Sequence, residues 1–104
     1  MATHKMLASG QLPTTTAALY TVPSATTGMV KTVLLHNTDT SARSAELFYN
    51  GSAAADKILK VSLDPDETFE YSVGHLLPLA ATETLQGKAD AATKVNYHIF
   101  GAEE

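Results

Sequence analysis

The sequence predicts an all-β fold, an antiparallel two-sheet β-sandwich of about eight strands with a jelly roll among the arrangements that satisfy the count. Three observations carry this expectation. Apolar residues come in short runs of alternating pattern, closed by turn formers at a spacing of roughly 8 to 12 residues. Threonine, whose branched Cβ suits a pleated surface, is frequent outside those runs, as in Thr14-Thr15-Thr16 and Ala25-Thr26-Thr27. No segment sustains a 3.6-residue period; Ala80 to Leu85 and Ala89 to Thr93 are each long enough for one helical turn only.

Taken in order, the first strand is expected around Lys5 to Leu12, interrupted at Ser9-Gly10, and the second at Leu19 to Val22, stopped by Pro23. Met29 to Asn37 is the clearest strand. Its alternation puts Met29, Val33, Leu35 and Asn37 on one face and Val30, Thr32, Leu34 and His36 on the other. Apolar residues on both faces predict a central strand covered on both sides. Ser44 to Tyr49 follows, with Ala45, Leu47 and Tyr49 alternating, then an Asn50-Gly51 turn, the dipeptide favoured where φ is positive. Ser52 to Asp56 is a loose link or one helical turn before a strand at Lys57 to Leu63.

Asp64-Pro65-Asp66-Glu67 reads as a tight turn. Phe69, Tyr71 and Val73 then alternate with polar residues as a half-buried strand, and His75 to Leu79, broken by Pro78, reads as an edge or a crossing loop. Glu83 to Ala89 is a weaker strand. The last, Lys94 to Phe100, sets Val95, Tyr97 and Ile99 against Asn96, His98 and Phe100.

At 104 residues the chain suits one core, since halves would be too small to bury one. The expected organisation is an N-terminal arm or first strand over residues 1–12 and a single β-sandwich domain over 13–104. The start of the chain shows a charge but no apolar stretch of about 7 to 15 residues behind it, so no secretory signal is expected. Zero cysteines remove disulfides, thiolate nucleophiles and cysteine-based metal sites. Seven Lys and Arg against eleven Asp and Glu give a net charge of −4, the wrong sign for gripping a phosphate backbone, and the basic residues are scattered. Neither nucleic acid nor membrane is an expected partner.

Chemistry is sparse. His4, His36, His75 and His98 lack the i+2 to i+4 partners that build a metal triad on one element, so surface or strand-face histidines are the expectation. Ser9-Gly10 and Gly51-Ser52 lack the frame of a nucleophile elbow. Asp64, Asp66, Glu67 and Glu70 form the densest acidic group, interrupted by Pro65, and read as an exposed turn rather than a calcium loop. The isolated glycines draw no phosphate loop. The seven aromatic residues read chiefly as core, with one or two left for an interface. The expectation is a non-enzymatic protein with no catalytic residue, cofactor or metal.

Leu19-Tyr20-Thr21-Val22-Pro23, a Thr-rich link, and Val30-Lys31-Thr32-Val33-Leu34-Leu35-His36-Asn37-Thr38 resemble a pattern of small virion proteins of tailed bacteriophages. Val61 to Glu70 resembles that pattern's S-L-x-x-x-E-T turn, and the late strand around Val95 to Ile99 completes a match over most of the chain from about Leu7. The resemblance implies a β-sandwich structural protein of the virion, assembled in the bacterial host cytoplasm. Its first implied role is a capsid decoration (cement) protein stabilising a phage head through contacts with the major capsid protein. The alternative is a tail-fibre or tail-associated module that binds a host receptor or carbohydrate.

Marginal burial in so small a domain adds the expectation of a homodimer or homotrimer. Met6, Leu7 and Leu12, the apolar residues of the arm, are the expected interface residues; a first strand of the domain's own sheet is an equal reading of that segment.

Overall fold

The computed structural model describes the backbone from Thr3 to Glu104 and all side chains in it except those of Thr3 and residues 73–76. Met1 and Ala2 of the expected arm, and the side chains of Val73, His75 and Leu76, therefore lie outside the described residues. Eight strands run in order: β1 (Thr3–Gln11), β2 (Ala17–Thr21), β3 (Gly28–Asn37), β4 (Arg43–Tyr49), β5 (Lys57–Leu63), β6 (Thr68–Leu79), β7 (Thr84–Ala89) and β8 (Val95–Glu103). A single 3-10 turn, Ala54–Asp56, precedes β5.

Pairing is nested. β4 pairs with β5, β3 with β6, β2 with β7 and β1 with β8, all antiparallel, as one long hairpin with the β4–β5 link at its tip. Rolled up, this ribbon closes with β3 beside β8 and β4 beside β7. The result is two four-stranded sheets, β1-β8-β3-β6 and β2-β7-β4-β5, the topology of a jelly roll.

Alternation places the core between the sheets. Val30, Val33, Leu35, Val95 and Ile99 from the first sheet meet Leu47, Leu63 and Leu85 from the second, each almost fully buried. Each such side chain is worth about 1.5–3 kcal/mol relative to exposure. Tyr20 and Tyr97 join this core, while Phe69, Tyr49 and Tyr71 pack at its margin.

Expectations on β1 and β3 change. Val30 is not on the face of Thr32 and Leu34: the β3 ladder shifts between Val30 and Thr32, so Val30 and Val33 both point into the core and Lys31 is the extra residue. β1 is not interrupted at Ser9-Gly10; its irregularity is one bulge at Leu7, between Met6 and Ala8. Of the two readings of the segment up to Leu79, the edge holds: it is the continuation of edge strand β6. Pro78 sits opposite Met29 there, a position open to proline because an edge strand has one unpaired side.

Asn37, at the end of β3, is fully buried and ties two loops together. Its Nδ2 donates to the carbonyls of Ser41, Leu63 and Asp64 at 2.9, 3.1 and 3.2 Å, and its Oδ1 accepts from the Asp39 amide at 2.9 Å. The neighbouring Asp64–Glu67 turn closes through Glu67 N–H to Asp64 C=O at 3.0 Å, with Asp66 at φ 61°.

Candidate functional site

The outer face of the first sheet is the surface on which the chain spends apolar residues without covering them. Ladder registers arrange it in four rows across β1, β8, β3 and β6: His4–Ala102–Met29–Pro78, Met6–Phe100–Thr32–Ser72, Ser9–His98–Leu34–Glu70 and Gln11–Asn96–His36–Thr68. Met6 is 49% exposed, and Phe100, Leu34 and Met29 are half-buried. Phe100 stacks on His98 with ring centroids 6.5 Å apart, as i, i+2 neighbours on one strand face can.

Three backbone features shape a groove at one end of this face. Leu7 bulges in β1 and Lys31 bulges in β3, both beside β8, where Gly101 carries no side chain. A Cβ at Gly101 would collide with the carbonyl oxygen of Met29, so glycine is what lets β3 and β8 approach here. The resulting open groove has a volume of about 360 Å³ and is lined by His4, Lys5, Met6, Lys31, Phe100 and Gly101.

Charges mark both ends of the face. Lys5 and the exposed Lys31 stand at the groove end, where the end of β8 also brings Glu103 and Glu104; Asp64, Asp66, Glu67 and Glu70 stand toward the other, beside His36. Lys5 is neutralised, with its Nζ 2.7 Å from Glu103, whose second oxygen accepts a 2.6 Å hydrogen bond from Tyr20 Oη. The Lys5 ammonium, then the Tyr20 hydroxyl, hold the Glu103 carboxyl below its usual range, and burial pushes the Tyr20 hydroxyl far above its own. Lys31 has no ion pair among the described residues. At the acidic end Asp66 lies 3.7 Å from His36 Nε2, Glu67 accepts from the Asp64 amide, and Glu70 accepts from Ser72 Oγ.

The outer face of the second sheet differs. Glu46 there sits 2.5 Å from Lys57 and 4.0 Å from Lys88, with Lys60 opposite it in the ladder, and the Lys57 ammonium lies 5.7 Å above the Phe48 ring. Phe48 is 3% exposed beneath Lys57, so this face closes over its aromatic residue within the chain.

The structure separates the three residues expected at an interface. Met6 is exposed in the groove, Leu7 packs partly against the core, and Leu12 is 1% exposed within the core, its amide donating to Val95 C=O, so Leu12 is closed to a partner. β1 as a whole is a strand of the domain's own sheet. Phe100, His98, Leu34 and Lys31 of this face were not singled out from the sequence; the signal was apolar residues on both faces of β3 and the aromatic outer set of β8. Among the described residues no three His, Asp or Glu side chains gather as a metal site requires. Comparison of the chain with models of protein families, with curated proteins and with solved structures finds no match.

Proposed function

We propose that this chain is a non-enzymatic structural protein of a tailed-phage particle, a capsid decoration protein that stabilises the head through protein–protein contacts. The observation that carries the reading is the open apolar face of Met6, Phe100, Leu34 and Met29 on a jelly roll whose other face is closed by its own lysines. Contiguous exposed apolar surface rimmed by polar residues is what a protein partner covers. The jelly roll is an architecture used by viral capsid and lectin domains, which supports the reading as a fold-level analogy.

The segments that resemble small virion proteins fall on β2, β3 and the β5–β6 turn. Apart from Lys31 at the groove, they are parts that set the roll and its exposed sheet. The test is occupancy. Purified protein added to expanded, mature-form phage shells should bind at fixed stoichiometry and raise the melting temperature of the shell. Shells that neither bind it nor gain stability refute the reading.

The groove beside Phe100 favours a second reading, a tail module holding a host receptor or carbohydrate, because an aromatic face flanked by two lysines can stack on and hydrogen-bond to a sugar. A glycan array silent at high protein concentration refutes it.

A further inference from the structure

We infer that in free solution the open face of the first sheet is covered by a second copy of this chain, packed face to face and antiparallel about a twofold axis lying in the interface across the strands, a pairing that the shell contact of the proposed function would displace. The charge pattern selects this occupant. Lys31, between the first and second rows, and Glu70, in the third with Asp66 beyond it, lie on either side of the middle of one face, so a copy turned end for end sets each Lys31 against the other copy's Glu70, twice. With the axis between the rows of Phe100 and His98, Phe100 of one copy lies over His98 of the other, Thr32 over Leu34, and Lys31 comes beside Glu70.

Size supports the same occupant. Strands spaced ~4.8 Å apart and rising ~3.3 Å per residue make the face about 19 Å by 30 Å, so two copies cover roughly 1,100 Å², just past the ~1,000 Å² of a specific contact. An interface this small is reversible, with a dissociation constant in about the micromolar range. It also gives β3 the cover on both sides that its sequence predicts. A closed twofold leaves no repeated free face, so association stops at two.

Sedimentation equilibrium of the full chain from about 1 to 500 µM tests this without any phage component, so its outcome is independent of shell binding. The expected result is a monomer–dimer equilibrium that weakens as salt rises from about 0.05 to 0.5 M. Lys31→Glu, on an exposed strand position, should raise the dissociation constant at least about tenfold while circular dichroism and melting temperature stay near wild type. Lys31→Glu combined with Glu70→Lys should restore dimerisation, which a merely destabilising substitution would not. A monomer at 500 µM, a trimer or larger species, indifference to Lys31→Glu, or failure of the double variant to recover each overturns the inference.

Discussion

Replacing Asn37 by alanine removes the buried side-chain amide that ties the 38–42 and 64–67 loops together at the end of β3. Its backbone bonds, to Glu67 C=O and from the Asp66 amide, survive the substitution. What goes is the side-chain amide: two Nδ2 protons shared among three carbonyls, and an Oδ1 that accepts the Asp39 amide. Three hydrogen bonds at about 0.5–1.5 kcal/mol each put the loss near 3 kcal/mol. With a urea slope of about 1.5 kcal/mol/M, the unfolding midpoint should fall by about 2 M. A fall under about 0.5 M refutes the role. Asn37→Asp sharpens the test, because a carboxylate would face carbonyl oxygens and its folded pKa would rise above the unfolded value of about 3.9. Its deficit against wild type should exceed that of alanine at pH 7, shrink as pH falls through the raised pKa, and level off below pH ~4. A deficit independent of pH would show that the amide protons are not what the loops use.

Gly101→Ala forces a methyl onto the Met29 carbonyl, with no flexible side chain to yield, and should cost about 2 kcal/mol or more, read as a melting temperature lower by about 10 °C. Thr82 holds φ 68° in the β6–β7 turn, a region disfavoured for a β-branched residue, so Thr82→Asn should stabilise by about 0.5–1 kcal/mol in urea unfolding. The carboxyls of Asp39, Glu46 and Glu103 are lowered chiefly by Arg43, Lys57 and Lys5 respectively. Their stabilisation is present above the unfolded pKa of about 4 and is lost as pH falls through the lower folded values, so the melting temperature should drop below pH ~4. Tyr20, raised by burial and then by Glu103, works in the opposite direction: stability is present below the unfolded pKa of about 10 and is lost as pH rises above it. Tyr20→Phe should flatten that alkaline decline while costing about 1 kcal/mol at pH 7.

The sandwich was legible because its strands alternate strictly where it matters: Val95, Tyr97 and Ile99 in β8 and Ala45, Leu47 and Tyr49 in β4 fall on the expected side. Where prediction failed, one extra residue was the cause. A bulge leaves no mark in composition, yet the one at Lys31 moves Val30 to the core face and leaves Lys31 on the open one. Turns were only partly legible, since the left-handed residues are Ala25, Asn50, Asp66, Thr82 and Thr93 and no described glycine. Of these, only Asn50 and Asp66 lay in segments with turn chemistry strong enough to place them. The interface expectation followed greasiness along the arm, and greasiness alone cannot distinguish Met6, which the Met6–Ala8 register shift turns outward, from Leu12, which the strand end buries.

The two outer faces show how one sandwich can carry opposite surface strategies. On the second sheet, Lys57 lies over Phe48 and, with Lys88, meets Glu46, so apolar area and charge find partners within the chain. On the first, Lys31 extends from a bulge beside Phe100 with no ion pair among the described residues, and Glu70 and Asp66, which would match it, stand past the middle of the same face. Phe48→Ala should therefore lower stability by about 3 kcal/mol, since it opens a cavity under Lys57. Phe100→Ser should cost less in an isolated chain and should act mainly on association. Measured side by side, urea unfolding at about 1 µM and sedimentation at about 200 µM separate the two effects. Equal losses of stability from both substitutions, with association untouched, would mean that the first face is finished in the same way as the second.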